Sequence, residues 1–573
     1  MRWRPAVFLF IAFVAYDAAA DVSPPSAAIA SAHPAATAAG REILDAGGNA
    51  FDAAVAVAAA LAVVEPFGSG LGGGGFFLLH RASDSRNVML DARERAPLAA
   101  TRHMYLDAAG APVPRRSLDG ALAAAIPGLP AALAHLAQRY GTLPLSRSLA
   151  PSIRLAREGF TVTPRYRRMA QARGATLLTS PAAAIFLDKG ALPPQGYVIK
   201  QPELARTLDE LARRGASGFY RGVTARRLVD GVRAAGGLWT YADLAQYRVV
   251  EREPVRGSYR GAQVISAALP SSGGIVLLEM LGILEGLELE PVASVDRTHV
   301  VVEAMRRAYR DRALYLGDPD FLPVNPQAML LDSRRIAGLR AGIDRRRATP
   351  STDLAPAPAH DGPRGANTTH FSVLDIAGNR VAATLSINTP FGSTFVPAGT
   401  GVLLNNEMDD FVAAPGSPNT YGLVGGDANA IAPGKRPLSS MMPTFIETRG
   451  SVLVLGTPGG SRIISQVLLA VLDFVHERGG VEDWVGRRRF HHQYLPDRIE
   501  YEPGAFVAEE LTALARLGHA LHKLPEDYGN MQALVWHRAS GRVEAASDPR
   551  GEGAAVVFRP AVERRQAPAA ISR

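Results

Sequence analysis

Cysteine is absent from all 573 residues. That excludes disulfide staples, thiolate metal sites and cysteine nucleophiles together, and it leaves core burial to hold the chain, which this length permits. A charge of one sign is missing too. Lys and Arg number 62 against 54 Asp and Glu, for a formal net charge of +8. Basic residues are scattered among acidic ones, and the clusters "RRR" at 345–347 and 487–489 read as solvated surface. No nucleic-acid partner is expected. Beyond the N-terminus no uncharged apolar run reaches the ~18 residues of a membrane span. The longest, "AAVAVAAALAVV" at 53–64, reads as a buried core helix.

What is present fits a globular protein: 47% hydrophobic and 20% charged residues, with length for two to four domains. Arg2 and Arg4 precede the apolar stretch "PAVFLFIAFVAY", and "AAA" at 18–20 offers small residues before Asp21. Residues 1–20 therefore read as a secretory signal peptide, and the protein as exported, periplasmic or secreted.

Residues 34–330 mix helical patterns with short strands. "GGNAFDAAVAVAAALAVVE" reads as a turn feeding a helix and "GSGLGGGGFFLLH" (68–80) as a glycine turn feeding a strand, with further helices expected over 123–140, 202–214 and 296–316. Residues 349–366 carry four prolines and almost no large apolar side chain, which predicts an exposed linker. Two strands follow, "TTHFSVLD" and "RVAATLSIN", joined through "IAGN" as a hairpin. In the second strand Val381, Ala383, Leu385 and Ile387 alternate with Ala382, Thr384, Ser386 and Asn388, so one face is largely polar. It either meets water or points at whatever begins the first strand. "LVLGTPGGSRIISQVLLAVLDFVHERGG" reads as strand, glycine turn and helix, placing Gly459 and Gly460 near a helix start, where free N–H groups suit negative charge.

Seven ordered blocks make the chain resemble the γ-glutamyltranspeptidases, or glutathione hydrolases: "SGLGGGGF" (69–76), "LDARERAP" (90–97), "PSSGG" (270–274), "NTTHFSVLD" (367–375), "GVLLNNEMDDF" (401–411), "PNTYGLVGGDANAIAPGKRPLSSM" (418–441) and "GTPGGSR" (456–462). The resemblance implies an N-terminal-nucleophile hydrolase of the α+β class. Its fold would be a four-layer αββα sandwich, with two stacked, mostly antiparallel sheets between helical layers. It implies a cut between Asn367 and Thr368, giving a large subunit of 21–367, ending in the 349–367 linker, and a small catalytic subunit of 368–573 that stay together as a heterodimer. Thr368 would be the nucleophile. A threonine hydroxyl needs a base, and a freed α-amine with a reference pKa of about 7.7–8.0 can serve. Ser386 stands where the family has a second threonine; serine keeps the hydroxyl and loses a methyl.

By the same resemblance Arg93 would clamp the substrate α-carboxylate, helped by Ser439 and Ser440. Asn388, Glu407 and Asp410 would hold the α-ammonium, Gly459 and Gly460 would form the oxyanion hole, and Tyr421 would belong to a lid over 415–429. Expected partners are glutathione and other γ-glutamyl compounds, with water or an amino acid or dipeptide as acceptor. No cofactor and no metal are expected. A glutaryl or cephalosporin-type acylase of the same family is the close alternative. An uncut, non-catalytic γ-glutamyl-peptide-binding protein is the distant one.

Three other motifs read as structural. The adjacent histidines of "FHHQ" (490–493) point to opposite faces of a strand. "GDPDF" (317–321) lacks further acidic ligands at a usable spacing. No Lys-Ser/Thr follows the tetraglycine at 72–75, so close backbone packing is expected there, not a phosphate cradle.

Overall fold

The computed structural model describes residues 23–289, 294–354, 368–414 and 416–561. The expected signal peptide, the 355–367 part of the linker and Asn367 lie outside the described residues.

Thirteen strands build two sheets. The first runs β13 (Ala554–Phe558), β1 (Ala27–Ser31), β7 (Thr369–Leu374), β8 (Arg380–Ser386), β2 (Gly74–Arg81), β3 (Arg86–Ala92), β4 (Val250–Arg252). The second runs β12 (Val543–Ser547), β11 (Gln532–His537), β10 (Ser451–Gly456), β9 (Thr444–Glu447), β6 (Ala262–Ser266), β5 (Val255–Tyr259). Every neighbouring pair in both is antiparallel. Helices cover the outer faces: α1 (Pro34–Asp45) and α2 (Ala50–Val64) on the first sheet, α3 (Gly273–Leu284), α4 (Val295–Tyr315) and α5 (Ile463–Val475) on the second. This is the αββα sandwich.

Period-two patterning explains the layers. Phe371, Val373, Val381, Ala383 and Leu385 join the core beneath α1 and α2. Leu374 and Ala382 face the other way, into a core between the sheets with Phe445, Val454, Leu534 and Trp536. The polar face of β8 therefore meets the second sheet, not water. Thr384 is fully buried and pairs with His370 Nδ1 at 2.8 Å. All fifteen residues of α2 are buried. Its start is set by a capping box, Asn49 accepting from Asp52 N and Asp52 accepting from Asn49 N at 3.0 Å each, a device worth about 1 kcal/mol.

The tetraglycine is a packing device. A Cβ at Gly72 would stand 2.0 Å from Leu403 O, at Gly73 2.1 Å from Ser386 O, and at Gly74 2.2 Å from Ala92 O. Two expectations are corrected. The helix expected over 123–140 covers Leu129–Arg139 only: Gly128 N and Leu129 N both bond to Gly73 O (2.8 and 2.9 Å), which pins the backbone ahead of the first turn. The linker is only partly exposed over its first residues: Thr352 and Asp353 are exposed, Ser351 is not. Ser351–Leu354 form a helical turn, and fully buried Ser351 donates to Tyr494 O (2.7 Å) and accepts from Arg306 Nη1 (2.8 Å).

Candidate active site

Thr368, at the head of β7, opens onto a narrow cleft between the sheets' ends. The hairpin places Ser386, at the end of β8, in the same cleft, and Asn388, Glu407, Asp410, Tyr421, Ser439, Ser440 and Gly460 line it as well. Arg93 enters from the end of β3, fully buried. Ser386 Oγ accepts from Asn388 N at 2.8 Å, and Asn388 takes a left-handed φ of 73° that turns the chain across the cleft.

The glycine turn ends the opposite wall. Gly459 and Gly460 have φ of 140° and 57°, and among the described residues neither N–H is committed to a hydrogen bond. Gly460 borders the cleft directly. Gly459 precedes it in the turn, and a Cβ there would stand 2.5 Å from Gln466 Nε2.

Charge is concentrated at the far end. Arg93 Nη1 donates to Glu407 Oε1, its Nη2 to Asp410 Oδ2 at 2.5 Å, and Glu94 Oε2 stands 3.6 Å from Nη1. Arg93 Nε donates to Pro437 O at 3.1 Å. Burial opposes the Arg93 charge, but Glu407, Asp410 and Glu94 outweigh it and hold the guanidinium above its ordinary pKa. Burial pushes Glu94 up to about 7, and it raises Glu407 well above the carboxylate range although Arg93 pulls the other way. Four buried acceptors here, Asn388 Oδ1, Glu407 Oε2 and both carboxylate oxygens of Glu94, have no hydrogen-bond partner. Orphaned acceptors beside an acidic cluster suit a cation with several N–H donors.

A loop over 416–429 closes the cleft. Tyr421 OH donates to Asn388 O at 2.8 Å, its ring packs on Gly460, and Thr420 N donates to Asp409 Oδ2 at 2.9 Å. Asn419 Nδ2 donates to Asp410 Oδ1 at 3.0 Å, tying the loop to the acidic cluster. Gln493, from "FHHQ", donates to Tyr421 O (3.2 Å) and accepts from Ser461 Oγ (2.7 Å), so it braces the loop against the glycine turn.

The histidines beside it separate as expected, His491 toward Ser465 and His492 toward Asp497. Asp318 and Asp320 of "GDPDF" are taken up by Arg436 N and Arg252. The one metal-type cluster among the described residues, His299, Glu303 and His519, is occupied by Arg306 and Arg307 on its carboxylate.

Sequence reasoning passed over three residues in or beside the cleft. Glu94 lies inside a quoted block, so its adjacency to Arg93 was a usable signal. Arg312 lines the cleft itself, yet it sits in the arginine-rich α4 where spacing singles nothing out. Glu65 fills the helix side of β7, accepting from Thr369 Oγ1 at 2.7 Å.

Comparison with known proteins adds to this geometry. The family model described as gamma-glutamyltranspeptidase matches residues 36–558. A glutathione hydrolase proenzyme of Escherichia coli (strain K12) is 42% identical, covering 94% of this chain and 93% of its own. An acylase ACY 1 proenzyme of Pseudomonas sp. (strain SE83) is 37% identical, covering 92% of each. Among solved structures, cephalosporin acylase from Bacillus halodurans superposes with a TM-score of 0.81 at 27% identity, covering 97% of this chain and 99% of that one. Gamma-glutamyltranspeptidase of Helicobacter pylori gives 0.55 at 39% identity, covering 58% of this chain and 96% of that one.

Proposed function

The chain belongs to the gamma-glutamyltranspeptidase family, and from that premise we propose the roles of its residues. It is an autoprocessed glutathione hydrolase and γ-glutamyltransferase. In the precursor, Thr368 Oγ attacks the Asn367 carbonyl, the peptide bond gives way to an ester, and water releases an Asn367 carboxylate and a Thr368 α-amine. That amine is the base the uncut chain lacks. It takes the Thr368 hydroxyl proton as Oγ adds to the γ-glutamyl carbonyl, then returns it to the departing amine. Water or an amino acid or dipeptide resolves the resulting γ-glutamyl ester. Ser386 orients Oγ, and the free N–H groups of Gly459 and Gly460 receive the oxyanion, each donor commonly worth ~3 kcal/mol.

The orphaned acceptors Asn388 Oδ1 and Glu407 Oε2 carry the substrate reading. With Asp410 they would bind an α-ammonium, which γ-glutamyl donors have and glutaryl donors lack; Arg93, Ser439 and Ser440 would receive the α-carboxylate. Subunits of 21–367 and 368–573 would remain one body, because each half contributes strands to both sheets. Export to the periplasm or medium is supported by the N-terminal pattern. No helix among the described residues is long and apolar enough to cross a membrane.

Intact mass measurement of purified protein tests this reading: two chains are expected, the smaller beginning at Thr368. Glutathione should turn over, faster with a dipeptide acceptor. Thr368→Ala should be uncut and inactive, and Thr368→Ser cut slowly with residual activity. Normal processing of the alanine variant would remove Thr368 as the self-cleaving nucleophile.

A further inference from the structure

Arg312 projects from α4 into the wall of the cleft and is only 5% exposed. Its Nε donates to Ser272 Oγ at 3.0 Å and its Nη2 to Ser440 Oγ at 3.2 Å. Nη1 bonds to no described residue, and Asp410 attracts the guanidinium only from beyond ion-pair distance. Arg93 is the opposite case, with both terminal nitrogens already on Glu407 and Asp410. A buried guanidinium with neutral partners alone is an expensive arrangement unless an anion completes it.

The two serines show where that anion would sit. Ser272 Oγ donates to Ser439 O at 2.6 Å while accepting from Arg312, so the "PSSGG" block fixes both the arginine and the 439–440 backbone. Ser271 adds a bond to Met441 O at 2.5 Å. Ser440 lines the cleft and its Oγ accepts from Arg312, so its own proton stays available for donation. A donor hydroxyl and a guanidinium thus border the same cleft as the orphaned Asn388 and Glu407 acceptors.

The geometry points to Arg312, steered by Ser272 and presenting Ser440, as a second guanidinium reading the donor's α-carboxylate. It rests on the γ-glutamyl assignment and deepens it. Arg93 then serves both charges of the zwitterion, holding Glu407 and Asp410 in place for the ammonium while Arg312 supplies the uncommitted positive charge. Donors with the α-carboxylate removed would escape this selection.

Three competitive inhibitors of γ-glutamyl-p-nitroanilide hydrolysis separate the contributions: L-glutamate, glutarate (no ammonium) and 4-aminobutyrate (no α-carboxylate). In processed Arg312→Gln the inhibition constants of glutamate and glutarate should rise roughly ten- to hundredfold, the loss of one or two charge-assisted bonds. That of 4-aminobutyrate should stay within about twofold on the same reasoning. KM for the anilide should rise more than kcat falls. Arg312→Lys keeps the charge without the fork and should show a smaller loss on the same two ligands; it carries the test if Arg312→Gln fails to process. Equal weakening of all three ligands, or of none, in either processed variant would overturn the proposal. Wild-type protein binding glutarate as tightly as glutamate would instead refute the γ-glutamyl assignment, leaving the Arg312 comparison readable through glutarate.

Discussion

Asp410 accepts from Arg93 Nη2 with one oxygen and from Asn419 Nδ2 with the other, so its charge is balanced and its position is held from both sides. Asp410→Asn keeps the shape and removes the charge that would meet an α-ammonium. KM for γ-glutamyl substrates should rise strongly, with glutaryl turnover much less affected. Equal impairment of the two would return the site to the acylase reading. Arg93→Lys should raise KM about ten- to hundredfold while self-cleavage continues, since lysine cannot reach two carboxylates with parallel N–H donors. The variant keeps a positive charge near Glu407, already raised by burial, but loses the guanidinium fork that pairs with it. Steady-state kinetics beside gel analysis of processing check both variants.

At the scale of elements, the site depends on how closely β2 lies against β8. Gly73 has no room for a methyl group, its Cβ falling 2.1 Å from Ser386 O. Gly73→Ala must displace the Ser386 backbone beside Thr368, a shift costing about 1–3 kcal/mol or more. Slow or failed self-cleavage and a lower melting temperature are expected. Gly338→Ala is the matched control. It sits in the helix Ser333–Ala341 with nothing within 4 Å of its Cβ, so it should gain up to about 1 kcal/mol of helix propensity and leave processing unchanged. Equal behaviour of the two variants in a thermal melt would show that the close approach at Gly73 has no consequence.

For the molecule as a whole, buried acid groups set part of the pH response. Glu65 is 2% exposed, and burial raises it to about 7, with Arg165 4.0 Å away and the Thr369 hydroxyl only partly compensating. The folded state therefore holds a proton that the unfolded state releases near 4.5. Glu65's contribution is fully present below that value and is lost as pH rises through about 7, on the order of 3 kcal/mol in total. Glu65→Gln removes the charge and keeps an acceptor for Thr369. Its melting temperature should match the wild type near pH 5 and exceed it at pH 8. A constant difference across that range would mean that Glu65 does not titrate there.

Local order was legible in the sequence. The 369–386 hairpin, the buried helix over 50–64 and the strand–turn–helix around Gly459 follow from spacing, because period two, helical period and glycine turns act on neighbours. Ordered motif blocks led equally to the family and to Thr368 as candidate nucleophile. Tertiary structure decided the rest. Arg93 meets Glu407 across 314 positions and Arg312 meets Ser440 across 128, separations that no local pattern encodes. The polar face of β8 is dry because a second sheet lies over it, and the first turn of the proline-rich stretch is anchored because Ser351 finds Tyr494 and Arg306. A side chain's charge is written in the sequence; whether that charge is neutralised or left waiting for a ligand depends on which distant groups the fold packs against it.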